Sequence, residues 1–378
     1  MTRWRIPFNR PTATGDELSW LARALAASHI SGDGEFTAKC HRLLEDVVGV
    51  PKALLTTSGT HALEMAALLL DIGPGDEVIV PSFTFVSTAN AFVLRGARPV
   101  FVDIRPDTLN LDESLLEPAV SPRTRAVVVV HYAGVGCEMD AIGRFALAHH
   151  LAIVEDNAHG LFGAYRGRPL GSFGDLAAQS FHETKNVTCG EGGALLMTKP
   201  ELVERAEILR EKGTNRTRYF RGETAKYEWV DIGSSYLPSD LLAAFLYTQL
   251  LRREEIQEKR RRIWHLYSEG LASMAADRGF LTPQVPGHVQ QSYHMFYLIM
   301  PSADMRQRFI RHLAARDILA AFHYVPLHTS AFGRQFGPRE PGCPVAEDIS
   351  ARLVRLPFFT NMTDGEVEEV IGAVRDFA

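Results

Sequence analysis

No segment of the sequence has the pattern expected of a membrane span or of a secretion signal. The nearest candidate for a membrane span, residues 63–72, is interrupted by Glu64 and Asp71. It falls well short of the roughly eighteen uninterrupted apolar residues of a transmembrane helix. Residues 1–7 contain no apolar core of a signal peptide. The sequence therefore predicts neither a membrane span nor secretion.

Cysteine is scarce, and charge of one sign does not dominate. The four cysteines have no Cys-x-x-Cys spacing, which predicts neither a zinc site nor a disulfide framework and favours a reducing compartment. The net charge of −5 gives no basic surface for nucleic acid or for anionic lipid. No His-Glu-x-x-His motif is present, and no metal site is predicted. We therefore expect a cytoplasmic protein that binds neither nucleic acid nor membrane.

Short β-rich runs alternate with helical patterns up to about residue 200, which predicts an α/β fold with a mostly parallel sheet. Several runs are continuously apolar, as is typical of strands that are covered on both faces. The predicted strands are Ala53–Thr57, Glu77–Pro81, Arg98–Val102, Arg125–His131, Leu151–Glu155, Leu176–Phe181 and Gly193–Met197.

The pattern changes after Ser239. Residues 239–272 are predicted to form one long helix, and a strand, Tyr293–Met300, and a helix, Met305–Arg316, follow it. At 378 residues the chain is long enough for two domains. We expect a large domain over residues 1–245 and a small C-terminal α+β domain over residues 246–378 that includes the connecting helix.

Lysine is also scarce, with seven lysines among the 40 Lys and Arg residues. One of them, Lys185, precedes a glycine-rich turn, Gly190–Gly193, and lies about thirty residues beyond an apolar run that ends in Glu155 and Asp156. A lysine amine can hold the aldehyde of pyridoxal phosphate (PLP) as a Schiff base. A strand-terminal aspartate can keep the pyridine nitrogen of that cofactor protonated. The two residues therefore favour a PLP enzyme, with Lys185 and Asp156 as its catalytic residues.

Two further segments contain candidates for binding the cofactor phosphate. Thr57–Leu63 follows a strand and opens a helix, so its hydroxyls and free N–H groups form a potential anion site. An ordinary helix N-cap is the alternative for this segment. Ser180 precedes Lys185 by five residues, where its hydroxyl could reach the same phosphate.

Two ring side chains follow predicted strands. Phe85 could lie flat on a planar cofactor, although packing in the core is the usual fate of a phenylalanine. His159 could hydrogen-bond the cofactor's phenolic oxygen or stack on its ring, and the alternative is a surface or capping histidine. Glu155 and Asp156 point to opposite sides of their strand, so only one of them should face the cofactor.

Taken together and in this order, these segments resemble the DegT/StrS-type PLP-dependent sugar-nucleotide aminotransferases. The resemblance runs from Ile6-Pro-Phe-Asn9 to Leu356-Pro-Phe-Phe359 and implies the aspartate aminotransferase fold, PLP fold type I. The segments that carry it are Ser58-Gly-Thr60, Pro81-Ser-Phe-Thr-Phe85, Glu155-Asp156, Ser180-Phe-His-Glu-Thr-Lys185-Asn, Gly190-Glu-Gly-Gly193 and Pro326-Leu-His328.

The resemblance also implies roles for individual residues. Lys185 would carry PLP, and Asp156 would pair with the pyridine nitrogen. Phe85 would stack on the ring, with His159 beside it. The residues implied for the phosphate are Gly59, Thr60 and Ser180.

The resemblance further implies a homodimer with shared active sites. Many relatives bind the cofactor phosphate with an asparagine from the partner subunit. The corresponding segment here, residues 233–237, lacks that asparagine and has Ser235 as its candidate.

One branch of the family is the most similar, the branch that makes TDP-4-amino-4,6-dideoxygalactose (TDP-fucosamine). The similarity lies in Met65–Leu70, Ser87–Gly96, Arg210–Arg216 and Lys226–Tyr236. It implies that L-glutamate donates an amino group to C4 of TDP-4-keto-6-deoxyglucose, for a surface-polysaccharide or antibiotic pathway.

Other functions remain open at this stage. Within the family, the alternatives are amination at C3 of the sugar or the use of a UDP-sugar. Sugar dehydratases with the same fold replace the Schiff-base lysine with histidine, and Lys185 argues against that class. A non-catalytic scaffold is disfavoured because Asp156, Ser180 and Lys185 are all present.

Overall fold

The protein is described here by a computed structural model, which covers residues 4–337 and 342–377. Its strands are β1 (Lys52–Thr56), β2 (Glu77–Pro81), β3 (Arg98–Val102), β4 (Thr124–Val130), β5 (Ala152–Asp156), β6 (Ala164–Tyr165), β7 (Arg168–Pro169), β8 (Leu176–Ser180), β9 (Gly193–Met197), β10 (Val289–Gln290), β11 (Tyr297–Ile299) and β12 (Leu353–Arg355). Its helices are α1 (Glu17–Ala26), α2 (Glu35–Val48), α3 (Gly59–Leu69), α4 (Val86–Val93), α5 (Met139–Ala148), α6 (Val203–Arg210), α7 (Arg216–Phe220), α8 (Asp240–Leu251), α9 (Arg253–Arg278), α10 (Ala303–Ala314), α11 (Pro344–Arg352) and α12 (Asp364–Arg375).

A seven-stranded sheet organises the larger part of the molecule. Its strand order is β1-β9-β8-β5-β4-β2-β3. The pairs from β8 through β3 are parallel, whereas β9 runs antiparallel to both of its neighbours. Each of the seven predicted strands lies within one residue of an observed strand. The prediction of an α/β fold with a mostly parallel sheet is therefore confirmed.

Both faces of this sheet are covered, which explains why its strands are apolar throughout. Val78 and Val128 pack with helix α3 on one face. Ile79 and Val127 pack with α5, through residues such as Ile142, on the other. Adjacent residues of β2 and β4 thus enter different cores, as the alternation of side chains along a strand requires.

The prediction of one long helix over residues 239–272 is wrong. Two helices, α8 and α9, are separated at Arg252, whose φ of −95° and ψ of 12° depart from the helical values. Helix α8 packs against α1 and α2 on the large sheet, whereas α9 packs against α12. The chain turns between these two surfaces without a glycine or proline, so no local pattern marks the break. The division into domains at residue 245 stays a prediction.

A second, smaller core follows. Strands β11 and β12 pair antiparallel, and Tyr267 of α9, Phe309 of α10 and Val370 of α12 pack around them. The predicted strand Tyr293–Met300 is shortened to Tyr297–Ile299, since the chain at Tyr293 has a positive φ of 53° and turns towards the cavity described below. None of the helices within the described residues is long and apolar enough to span a membrane.

Candidate active site

A cavity of about 600 Å³ lies at the carboxyl-terminal edge of the large sheet, a size typical of a small-molecule site. The large sheet contributes Asp156 from the end of β5 and Ser180 from the end of β8. The C-terminal part of the chain, after helix α9, contributes His294, His323 and Arg355. In open α/β sheets, ligands bind at this edge because the strand ends and the loops that follow them converge there.

Asp156 is the carboxylate of β5 that faces the cavity. Its Oδ2 accepts a hydrogen bond of 2.7 Å from the hydroxyl of Thr88, and its Oδ1 accepts one of 3.2 Å from the backbone N–H of Ala158. The Thr88 hydroxyl is itself 2.8 Å from that of Thr84. Both carboxylate oxygens are therefore held, and the side chain is only 7% exposed.

Glu155 points to the opposite side of β5, as expected for its neighbour in a strand. It accepts hydrogen bonds from the backbone N–H groups of Gly171, Phe173 and Gly174 and lies 2.8 Å from Nε2 of His131. Burial by itself would raise the pKa of Glu155, but these hydrogen bonds and the proximity of His131 bring the pKa below its ordinary value. Glu155 thus ties the chain after β7 to β5 and does not line the cavity.

Lys185 reaches the cavity from the loop that follows β8. Its backbone N–H donates to the carbonyl of His182, which closes a turn. Burial lowers the pKa of Lys185 to about 8, the charge of Asp156 opposes that change, and the charge of Arg355 adds to it. The amine therefore loses its proton more readily than that of an exposed lysine.

The N-terminus of α3 forms the polar end of the cavity. The hydroxyl of Ser58 caps the helix by accepting from the backbone N–H of His61. Gly59 and Thr60 open the helix, where backbone N–H groups have no partner within the helix and favour anions. Ser180 also lies at this end of the cavity. It packs so closely against Gly59 that a Cβ atom added to Gly59 would lie only 2.9 Å from Cβ of Ser180.

The glycine-rich turn passes directly behind the same helix terminus. A Cβ at Gly193 would lie 2.3 Å from the backbone carbon of Ser58. Gly190 has a φ of 86° in the left-handed region, which other residues rarely adopt. These two glycines let β9 pair beside β8 and pass close to the start of α3.

His159 and Phe85 both line the cavity. The ring of His159 stacks on that of His294, with centroids 4.1 Å apart and planes 16° apart. Nδ1 of His159 is buried and has no hydrogen-bond partner among the described residues. Burial, together with the charges of Lys185 and Arg355, lowers the pKa of His159 well below its usual value. Phe85 is 55% exposed, in contrast to Phe83, which is buried in the core.

Ser235 does not line the cavity of its own chain. It is exposed and forms an isolated bridge with Glu211. The segment before it, residues 216–232, exposes several large apolar side chains. They are Tyr219, Phe220, Tyr227, Trp229, Val230 and Ile232.

Several residues that line or support the cavity gave no signal in the sequence. Thr88 was part of a noted segment, but its contact with Asp156 depends on how α4 packs beside β5. His294, His323 and Arg355 come from the C-terminal part of the chain. A local motif cannot indicate such residues, because only the packing of the two parts brings them to Lys185.

No group of three or more His, Cys, Asp or Glu side chains in residues 4–337 and 342–377 is arranged to hold a metal ion. The donor set fits PLP instead. It combines an amine of lowered pKa, a hydrogen-bonded carboxylate, a helix N-terminus and a buried ring nitrogen without a partner, all in one cavity. The fold and this site together define an aminotransferase of the PLP type.

Comparison with known proteins gives the family. A model of the DegT/DnrJ/EryC1/StrS aminotransferase family matches residues 11–375, and the chain belongs to that family. The spore coat polysaccharide biosynthesis protein SpsC of Bacillus subtilis is 35% identical over 98% of this chain and 96% of its own length.

Solved structures agree with this assignment. The aminotransferase TlmJ of Streptoalloteichus hindustanus is 32% identical, with a TM-score of 0.88 over 99% of this chain and 98% of its own. The putative sugar aminotransferase Spr1654 of Streptococcus pneumoniae, in its pyridoxamine phosphate (PMP) form, is 28% identical, with a TM-score of 0.90 over 98% of each chain. The predicted aminotransferase fold is confirmed. Enzymes of this family use PLP, and the chain is a PLP-dependent aminotransferase of a sugar aminotransferase family.

Proposed function

We propose that this enzyme transfers the amino group of L-glutamate to the 4-keto group of TDP-4-keto-6-deoxyglucose. The product would be a TDP-4-amino-4,6-dideoxyhexose of galacto configuration. The chemistry rests on one observation, that Lys185 and the hydrogen-bonded carboxylate of Asp156 line the same cavity. The choice of sugar rests on the resemblance of residues 210–216 and 226–236 to the TDP-fucosamine branch.

Each catalytic residue would have a defined task. Bound PLP supplies an aldehyde that takes up amines and a ring that accepts an electron pair. The amine of Lys185, with its pKa near 8, would take the proton from Cα of the donor and deliver it again. The carboxylate of Asp156 would hold the proton on the pyridine nitrogen, and the Thr88 hydroxyl orients that carboxylate by donating to Oδ2.

The remaining site residues would position the cofactor. The backbone N–H groups of Gly59 and Thr60 and the hydroxyl of Ser180 would donate to the phosphate. The ring of Phe85 would cover one face of the cofactor, since this side chain is exposed to the cavity. His159 would lie beside the ring and use its unpartnered Nδ1 there.

We further propose that the active unit is a homodimer. Lys185 and Arg355 are the only lysine and arginine among the described residues that line the cavity, and the proposed phosphate site of Gly59, Thr60 and Ser180 has no basic side chain of its own. A partner chain could complete it, with the partner's Ser235 as the candidate. The exposed aromatic side chains of residues 216–232 are the kind of surface that a partner subunit covers.

The substrate proposal is tested by product analysis. Purified enzyme is incubated with TDP-4-keto-6-deoxyglucose and L-glutamate, and the sugar product is identified by NMR. We expect an amine at C4 in the axial, galacto position. Amination at C3 of a 3-keto isomer, or a clear preference for a UDP-sugar, would contradict the choice of substrate and leave the transaminase chemistry standing.

A further inference from the structure

Asn186, the residue directly after Lys185, joins the lysine loop to the C-terminal part of the chain. Its Nδ2 donates a hydrogen bond of 2.7 Å to the backbone carbonyl of Ser292, and its Oδ1 lies 2.8 Å from Nδ1 of His294. Asn186 is only 5% exposed and does not line the cavity, whereas His294 does. An effect of the Asn186 side chain on the cavity must therefore pass through the residues that it holds.

The two hydrogen bonds of Asn186 fix the tautomer of His294. A backbone carbonyl can only accept, so the amide nitrogen of Asn186 must face Ser292 and its amide oxygen must face His294. Burial is the main reason that the pKa of His294 lies well below its usual value, so the ring is neutral. A neutral imidazole carries one proton, and Nδ1 must hold it in order to donate to Asn186. The ring cannot turn without breaking that hydrogen bond.

The ring of His294 in turn supports that of His159. The two rings are stacked, with planes 16° apart and centroids 4.1 Å apart. The same segment also holds the backbone of His159, because the hydroxyl of Ser292 donates to the carbonyl of His159. His159 is therefore held through one face of its ring and through its carbonyl, although its Nδ1 has no partner among the described residues.

The backbone that bears His294 is held by a second residue. Tyr293 has a φ of 53°, in the left-handed region that a tyrosine rarely adopts. Arg260 of α9 donates hydrogen bonds to the carbonyls of both Tyr293 and His294. Because Arg260 fixes the backbone and Asn186 fixes the ring, His294 presents its face to His159 in a single arrangement.

From these contacts we infer that Asn186 and His294 are positioning residues that hold the ring of His159 in place beside the cofactor. This inference rests on the proposed position of His159 next to the cofactor ring. Without the stacked ring of His294, the His159 side chain would have other rotamers open to it. Ordering that side chain on binding would then weaken the affinity for the cofactor. Because Asn186 directly follows Lys185, one short stretch of chain fixes both the lysine and the ring on either side of the bound group.

The test measures the binding of PMP to the cofactor-free protein by equilibrium dialysis. PMP has no aldehyde and forms no Schiff base, so its dissociation constant reports the contacts of its ring and phosphate alone. His159→Leu should raise this constant about 10-fold, the size of a typical contact between two rings. Asn186→Ala should raise it about 3- to 10-fold, because the loss of one hydrogen bond frees the ring of His294.

The double variant Asn186→Ala/His159→Leu separates positioning from support of the fold. If Asn186 acts through His159, its loss has no further effect on the affinity for PMP once the ring of His159 is absent. The double variant should therefore bind PMP within about 2-fold of His159→Leu alone. An effect of Asn186→Ala that keeps its full size in that background would mean that Asn186 supports the site by another route, and its positioning role would be contradicted.

Two variants of His294 separate its hydrogen bond from its stacking. His294→Phe keeps a ring but has no donor for Asn186, whereas His294→Asn keeps an N–H donor and loses the ring. We expect His294→Phe to match Asn186→Ala, because each removes the same hydrogen bond. Combining the two should change the dissociation constant of PMP little further. His294→Asn should weaken PMP binding more, by about 10-fold, because the stacked ring itself is lost.

Gln249→Ala is the control. Gln249 is likewise a buried amide that joins distant segments, since its Nε2 donates to the carbonyl of Thr12 and to the carboxylate of Glu17. It does not line the cavity, so its loss should lower the melting temperature without changing the affinity for PMP. Thermal melting of each variant reports whether it folds. His294→Phe keeps the test decisive if Asn186→Ala does not fold.

The possible failures are distinguishable. If Asn186→Ala or His294→Phe folds and binds PMP as tightly as wild type, the positioning role is contradicted and the proposed function stands. If His159→Leu binds PMP as tightly as wild type, the proposed position of His159 beside the cofactor is contradicted, and the positioning role of Asn186 and His294 with it. PMP binding involves neither the sugar nor the amino donor, so the choice of substrates is tested separately, by the product analysis.

Discussion

The lowered pKa of Lys185 leads to a prediction about the cofactor-free protein. Its amine should titrate near pH 8, about 2.5 pH units below an exposed lysine, since burial disfavours its charged form. That shift corresponds to roughly 3 kcal/mol by which the charged amine destabilises the folded state. The destabilisation is fully present below pH 8, where folded and unfolded chains both carry the proton. The destabilisation disappears as the pH rises above the pKa of an exposed lysine, because the amine has then lost its proton in both the folded and the unfolded chain.

The amine can be titrated directly. Cofactor-free protein is mixed with PLP and borohydride at a series of pH values, and the pyridoxyl label on each lysine is quantified by peptide mass mapping. Labelling of Lys185 should reach half of its maximum near pH 8. Lys259, which pairs with Glu255 on the surface and does not line the cavity, is the internal control.

Lys185→Met supplies the corresponding measurement of stability. In urea unfolding of the cofactor-free proteins near pH 7, Lys185→Met should have a higher free energy of unfolding than wild type. This difference should shrink by up to about 3 kcal/mol as the pH approaches the pKa of an exposed lysine. The change with pH isolates the charge, because any difference in packing between the side chains is independent of pH. A difference that stays constant with pH, or labelling of Lys185 in parallel with Lys259, would refute the reasoning.

The remaining predictions concern the same site and the assembly. Asp156→Asn should fold but lose about 10²-fold or more in kcat/KM, because a neutral amide cannot hold the pyridine proton; near-normal activity would mean that another group has this role. Thr88→Val removes the donor to Asp156 at nearly constant volume and should lower kcat/KM by roughly 10-fold or more, the effect of a hydrogen bond to a charged group. Because Thr88 acts through Asp156, the double variant should be little worse than Asp156→Asn alone, whereas an additive loss would indicate a purely structural role. Sedimentation should give twice the chain mass of 41.9 kDa, and Trp229→Ser, which removes an exposed aromatic side chain, should weaken that dimer; a fully active monomer would contradict the shared active site.

Lys185 and Asp156 could be found from the sequence because each lies in a segment with a strong local signal. A strand that is buried on both faces is a continuous apolar run, so carboxylates at its end are conspicuous. The same property placed each of the seven strands to within one residue. The polar turn before α3 was visible because helix N-caps have a characteristic composition.

The features that the sequence did not predict depend on contacts between segments that are far apart in the chain. The break at Arg252 arises because α8 packs on the large sheet and α9 on α12, and nothing in residues 239–272 records those two surfaces. The strand predicted from Tyr293 begins only at Tyr297, because the chain at Tyr293 turns and His294 stacks on His159.

Arg355 is the clearest example of a residue that only the tertiary structure could place in the cavity. In the sequence it is one arginine among many, ahead of Leu356-Pro-Phe-Phe359. In the folded chain it lies in the same cavity as Lys185, and its buried Nε has no hydrogen-bond partner among the described residues. The sequence by itself thus determined the fold class and the Lys185 and Asp156 candidates, because these depend on local patterns. Only the tertiary structure determined which distant side chains surround them, because that depends on how the two cores pack together.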